Sequence, residues 1–212
     1  MQELRAEAAL HGDIIIENID DNYYGLTTKT LRMLKWFEKN CGSSPYFIKA
    51  DDDVFVNLSL LIETLGSLPD SFQIGGRVLT GRTPNLRNPF SKWYTPPELW
   101  DSKAVAPPYI GGPFYVIEGS FVREILKASY RVPLYHLEDV FISGMVASQQ
   151  LHANLYELPG CRDPKFPWIS YLLEYYFGWG SVDRSIVSFH SDGDMRLMRR
   201  IYEDVEMAQV HV

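Results

Sequence analysis

Helices and strands alternate along the chain in the order α-β-α-β, and this predicts an α/β fold: a mixed sheet covered by helices. Two further observations agree. Hydrophobic residues make up 46% of the 212-residue chain, enough for a packed core and too many for wholesale disorder. No internal repeat, low-complexity tract or linker interrupts the pattern, so residues 1–212 read as a single domain.

The elements follow in order. Ile14-Ile15-Ile16 reads as a short buried strand. Thr27 or Thr28 caps a helix that runs to about Asn40, with Leu31, Leu34 and Phe37 sharing one face. Cys41-Gly42-Ser43-Ser44-Pro45 ends it, and the strand Tyr46-Phe47-Ile48-Lys49-Ala50 runs into Asp51. Asn57 opens a second helix with Leu58, Leu61, Ile62 and Leu65 inward. Asn57-Leu58-Ser59 also fits a glycosylation sequon, but Asn57 reads better as the helix cap. Gln73 to Val78 is another strand. From Leu79 to Pro108 the apolar period disappears and Pro, Gly, Asn, Trp and Tyr dominate; a loop this long in a compact domain is usually functional. Phe114-Tyr115-Val116-Ile117 returns to strand, and Ser120 caps a helix through Phe121, Val122, Ile125 and Leu126. Glu138-Asp139 opens a helix towards Leu151. Ile186-Val187-Ser188-Phe189 is a late strand ending at His190, and Met195, Met198, Ile201, Tyr202 and Val205 mark a C-terminal amphipathic helix.

The chemistry concentrates at Asp51-Asp52-Asp53, between the apolar runs 46–50 and Val54-Phe55-Val56. Three adjacent carboxylates repel, and next to buried strands they are costly unless a cation neutralises them. In an extended backbone Asp51 and Asp53 face one way and Asp52 the other. Oxygen donors at i and i+2 suit a hard divalent ion such as Mg²⁺ or Mn²⁺. Strand ends are also where open α/β sheets bind ligands. The alternative is a solvated acidic turn. A Ca²⁺ module of the EF-hand type is disfavoured, because no ligand series with a central Gly and terminal Glu follows Asp51.

The totals exclude other classes. Net charge is −7 and no basic cluster exceeds Arg199-Arg200, which argues against a nucleic-acid or anionic-membrane surface. No apolar stretch reaches the roughly 20 residues of a membrane span. Met1 to His11 reads as an amphipathic start without a signal peptide's apolar core. Thirteen Tyr and five Trp suit either a sugar or nucleotide site or an ordinary core. Cys41 and Cys161 allow one disulfide or two thiols.

Several motifs then agree in order and spacing: His11-Gly12-Asp13-Ile14-Ile15, Asp21-Asn22-Tyr23, Gly25-Leu26-Thr27-Thr28-Lys29-Thr30, Trp36, Cys41, and Lys49-Ala50-Asp51-Asp52-Asp53-Val54-Phe55-Val56-Asn57. Ser91-Lys92-Trp93-Tyr94, Pro107-Pro108-Tyr109-Ile110-Gly111-Gly112 and Glu138-Asp139-Val140 complete the set. With these the chain resembles glycosyltransferase family 31, the β-1,3-galactosyl- and β-1,3-N-acetylglucosaminyltransferases, to at least Ser148 and more weakly to His190. The resemblance implies a nucleotide-sugar-binding domain of the GT-A type and an inverting transfer to a glycan acceptor on protein or lipid. The donor would be UDP-galactose or UDP-N-acetylglucosamine, with Mn²⁺ or Mg²⁺ as the cation. It also implies a lumenal Golgi location through an N-terminal anchor. The family starts earlier, with an Arg-rich, Trp-bearing segment, a first strand and helix, and a stem and anchor. This chain is therefore expected to be an N-terminally shortened enzyme or a shortened, non-catalytic, glycan- or partner-binding relative. Many relatives carry Cys where this chain has Ile110 and Met145, so the usual disulfide set is not expected and a Cys41–Cys161 bond is the only guess left.

The same resemblance assigns roles. Asp53 is the metal contact, with Asp51 and Asp52 on metal-bound water or the ribose hydroxyls. His190 is a further metal ligand or, equally, a satisfied structural histidine. Asp139 is the general base for the acceptor hydroxyl, with Glu138 orienting it or binding acceptor; acids in a helix's first turn also complement its dipole. Lys92 and Trp93 meet phosphate and sugar, or anchor the loop. Gly111 and Gly112 let backbone amides approach the donor sugar, or form a plain turn. Tyr171, Tyr175, Tyr176, Phe177 and Trp179 border the acceptor or pack the core.

Overall fold

A computed structural model describes residues 2–19, 22–81, 88–96, 98, 106–162, 185–191 and 193–210, without the side chains of 204 and 206–210. The aromatic run from Tyr171 to Trp179, Asp21, and much of the loop between Leu79 and Pro108 lie outside the described residues. The chain is α/β as expected. Helix α1 (Gln2–His11) buries no residue. A 3₁₀ turn (Tyr23–Gly25) leads into α2 (Leu26–Asn40), followed by β1 (Tyr46–Ala50), β2 (Val54–Val56), α3 (Leu58–Gly66) and β3 (Ile74–Leu79). Then come β4 (Tyr109–Glu118), α4 (Phe121–Ser129), a π-helix (Val140–Gln150), β5 (Leu155–Glu157), β6 (Cys161–Arg162), β7 (Ser188–His190) and a last helix, α5 (Met195–Val210). Among the described residues no helix is long and apolar enough to cross a membrane.

One sheet has the order β1-β4-β3-β5 and the other β2-β7-β6, each mixing parallel and antiparallel pairs. Strand β4 explains the first. Its run Phe114-Tyr115-Val116-Ile117 is apolar at every position because both faces are covered. Tyr115 and Ile117 join the cluster under α2, α4 and the π-helix, while Phe114 and Val116 join Leu61, Leu65 and Phe72 on the other face. A third cluster, Phe55, Ile186, Phe189 and Ile201, seats α5 on β2 and β7.

The β3–β4 ladder is interrupted. Gly76 pairs with Tyr115 but Val78 pairs with Ile110, so Gly111 to Phe114 bulge out opposite Arg77. Pro113 has no N–H to give, which makes it a residue for a bulge and not for a central ladder. Gly76 sits at the close approach: a Cβ there would lie 2.5 Å from Ile110 Cγ2 and 2.9 Å from the Phe114 carbonyl oxygen.

Several expectations are corrected. Ile14-Ile15-Ile16 is not a buried strand; Ile15 is 53% exposed, and no described strand pairs with the segment to bury it. Helix α2 starts at Leu26 after the turn capped by Asn22, whose side chain accepts from the Gly25 amide at 2.9 Å. Thr27 lies inside the helix and donates its hydroxyl to the Tyr135 carbonyl at 2.7 Å. Ser120 does not cap α4 with its own side chain; Glu118 accepts from the Ser120 and Phe121 amides instead. Cys41 and Cys161 form no disulfide. Met195 and Tyr202 of α5 face solvent, leaving Ile201 as its buried anchor.

Helix α3 has the predicted cap, Asn57 accepting from the Leu60 amide at 3.1 Å, but half of the predicted inward face. Leu61 and Leu65 are buried, whereas Leu58 and Ile62, offset around the helix, are 65% and 69% exposed. Leu61→Ala is therefore expected to cost about 2–5 kcal/mol, and Ile62→Ala less than about 0.5 kcal/mol. Urea unfolding of the two variants checks the difference.

Candidate active site

Two acidic clusters meet at the bulge of β4. The first follows β1. Residues 51–53 turn instead of extending: the Asp51 amide donates to the Pro113 carbonyl at 3.0 Å and the Val54 amide returns to the Asp51 carbonyl at 3.2 Å. The strict alternation expected of the triplet is lost, and each acid meets a different environment. Asp51 pairs with Lys49, Nζ to Oδ1 2.5 Å. Asp52 is exposed. Asp53 Oδ2 lies 3.1 Å from His190 Nε2, and its carbonyl accepts both the Ser191 amide and hydroxyl at 2.9 Å. The antiparallel register of Val54 with His190 sets this contact from the backbone, so residues 137 apart in sequence meet at one strand end.

The second cluster opens the π-helix. Asp139 Oδ1 accepts from the Val140 amide at 2.8 Å and Oδ2 from the Gly112 amide at 3.2 Å. Ser143 donates to the Asp139 carbonyl at 2.6 Å and accepts from the Ile110 amide at 2.8 Å, stitching the helix to β4. A π-turn beside such a group is a common mark of functional sites. Glu138 is buried and accepts the Tyr115 hydroxyl at 2.5 Å. Asp139 keeps partial access to solvent. Of the pair, Asp139 is thus the more accessible residue.

Burial pushes the Glu138 carboxyl up to about 7, opposed by the Lys49 ammonium and helped by Asp139. Burial also raises Asp139, against its bonds to the Val140 and Gly112 amides. Tyr115 rises well above its usual range, through burial and then Glu138. The sign of the linkage follows. Glu138 titrates at about 7 in the folded chain and near 4.5 when unfolded, so the native state holds the proton between these values. Its contribution to stability is greatest at the acid end and falls as pH rises from 4.5 to about 7. Glu138→Gln is expected to flatten that slope, read as the urea midpoint against pH in variant and wild type.

The remaining predicted residues divide between the clusters. Gly112 is shared, its amide on Asp139 and its carbonyl on Lys49 Nζ at 2.5 Å. Gly111 lines a small cleft with Arg77, Pro113, Cys161 and His190. Both glycines thus belong to the bulge of a strand and not to a turn before it. Lys92 and Trp93 gather at Tyr23: Lys92 Nζ stands 5.5 Å from the Tyr23 ring centroid and 5.1 Å from that of Trp93. Tyr23, raised to about 12 by burial and then by Asp139, ties this aromatic group to the carboxylate pair. Lys92 therefore stands over the rings of Tyr23 and Trp93.

A divalent cation must be held by what converges. Among the described residues no three His, Cys, Asp or Glu side chains group to hold an ion. Asp53 and His190 do converge as an oxygen and a nitrogen donor, a set that fits Mn²⁺ when substrate oxygens fill the other positions. Asp51 is engaged by Lys49 and does not join them.

Lys49, Tyr115 and Tyr23 were not among the candidates read from the sequence. Lys49 did leave a signal: it precedes Asp51 by two residues on a strand, and so faces the same way. Tyr115 was the one polar-tipped residue in the apolar run of β4.

Residues 1–157, which include the acidic turn, the bulge and the Glu138-Asp139 pair, match the family model described as Galactosyltransferase. The chain belongs to this family. It is 38% identical to β-1,3-galactosyltransferase 2 of Mus musculus over 142 residues, 66% of this chain and 33% of the relative. It is 37% identical to UDP-GlcNAc:betaGal β-1,3-N-acetylglucosaminyltransferase 7 of Rattus norvegicus over 142 residues, 66% of this chain and 35% of the relative. With β-1,3-galactosyltransferase 1 of Mus musculus the identity is 34% over 154 residues, 71% of this chain and 46% of the relative. This galactosyltransferase-family chain thus spans between a third and under half of the length of these curated relatives. His190 lies beyond the residues the family model matches.

Proposed function

We propose that this chain carries the catalytic site of an inverting, UDP-sugar-dependent β-1,3-glycosyltransferase of the GT-A type. The single observation that supports this best is the pairing of two unlike acidic clusters across one bulge. A half-buried Asp139 is held by two amides on one side, and a convergent Asp53–His190 pair stands on the other. Asp139 takes the proton of the acceptor hydroxyl as that oxygen attacks the anomeric carbon. The bond from that carbon to the diphosphate breaks, and UDP leaves with the electron pair. A divalent cation held by Asp53 and His190 would neutralise the charge developing on the departing diphosphate.

Galactose is the donor sugar we favour, because two of the three relatives described above are named galactosyltransferases; N-acetylglucosamine is the other candidate. The acceptor would be a glycan on protein or lipid, met in the Golgi lumen, and the cation Mn²⁺ or Mg²⁺. Calorimetry of UDP binding to this chain, with and without Mn²⁺, tests the donor half of the reading. Cation-dependent binding followed by transfer from UDP-galactose supports it. Binding without turnover on any acceptor would instead favour a glycan- or partner-binding relative, and no binding in either condition would overturn the donor site.

A further inference from the structure

Lys49 touches both halves of the site. Its ammonium is 12% exposed and contacts Asp51 Oδ1 and the Gly112 carbonyl. The register Lys49↔Tyr115 puts both side chains on one face of the sheet, with Nζ 5.9 Å from the Tyr115 ring centroid. Tyr115 in turn donates to Glu138, and the amide of the same Gly112 donates to Asp139. Every link from Asp51 to Asp139 is thus a direct hydrogen bond, and the middle one is a residue with no side chain to bend. A Cβ on Gly112 would stand 3.4 Å from both Cβ and Oδ2 of Asp139, so the bulge lies against the carboxylate.

We propose that Lys49 is a positioning residue that locks the cation-side and acceptor-side acids at a fixed spacing through Gly112, and couples their charges. The proposal rests on the reading of Asp139 as general base. The groups facing Glu138 are Lys49 from β1, Asp51 from the turn after it, Tyr115 from β4 and Asp139 beside it. Of these, Lys49 is the only cation. A half-buried ammonium bonded to one carboxylate and within electrostatic reach of a second stabilises both and transmits a change at one to the other. A solvated surface lysine would do neither.

The test uses the full 212-residue chain without added metal. The Glu138 carboxyl is titrated by ¹³C NMR, its signal assigned by its loss in Glu138→Gln. Lys49→Met keeps most of the side-chain volume and removes the charge. The midpoint is expected to move up from about 7, because the one opposing cation is gone. Asp51→Asn changes an exposed residue, and so tests the coupling even where Lys49→Met does not fold. Here the midpoint is expected to move down, because the Asp51 charge that raises Glu138 is gone and Lys49 serves the buried pair alone; in the Lys49→Met background the same change should move it less. An unmoved midpoint in either folded variant overturns the proposal. In turnover, Lys49→Met should lose roughly tenfold or more in kcat, and the acid limb of kcat/KM should shift to higher pH. A wild-type chain with no transfer would sink the proposed activity, while the titration would still decide the role of Lys49.

Discussion

Asp139→Asn is expected to lower kcat by about 10²–10⁴-fold while UDP binding persists. Asp139 is the more accessible member of the acidic pair, and both its carboxylate oxygens are fixed by amides. Asparagine keeps one acceptor oxygen and turns an amide nitrogen towards the second N–H, so one bond is lost at a net cost of about 1 kcal/mol. The fold should therefore survive and the loss fall on proton transfer. Glu138→Gln supplies the contrast. Its carboxyl is buried and bonded to the Tyr115 hydroxyl, so the fall should be much smaller. Initial rates for both variants decide the matter, and transfer by Asp139→Asn at the wild-type rate removes the base assignment.

Asp53→Ala is expected to weaken Mn²⁺-dependent UDP binding by about 100-fold or more, as loss of a ligand does when only two protein donors converge. The contact with His190 disappears, but the backbone anchors do not, because the Ser191 amide and hydroxyl bind the Asp53 carbonyl and not its side chain. The side-chain contact is a single hydrogen bond, with a net contribution of about 1 kcal/mol to stability. Calorimetry with Mn²⁺ and UDP, beside a urea titration, separates the two effects. A variant that binds UDP and Mn²⁺ as the wild type does would remove Asp53 from the cation site.

Where one element carries the signal, the sequence was readable. The Tyr46–Ala50 strand, the helix with Leu34 and Phe37, and the cap at Asn57 depend on neighbours within a few residues. The acidic turn and the Glu138-Asp139 pair were legible for the same reason, since each is contiguous. Errors arose where burial depends on what lies opposite. The periodicity of α3 admits Leu58 and Ile62 to the inner face as readily as Leu61 and Leu65, and only the position of the sheet separates them. Ile14-Ile15-Ile16 has strand composition but no described partner strand.

By itself the sequence determined the α/β class, the family, and the two sets of carboxylates, because period, composition and contiguous motifs are local properties. Only the tertiary structure decided how the acids divide their work. The register of β2 with β7 brings His190 to Asp53. The bulge at Gly111 to Phe114 turns one end of Gly112 to Asp139 and the other to Lys49. Lys49 then takes Asp51, while burial separates Glu138 from the more accessible Asp139. The contacts of His190 with Asp53 and of Gly112 with Asp139 and Lys49 join residues 27 to 137 positions apart, and no local pattern encodes a distance that the chain must fold to create.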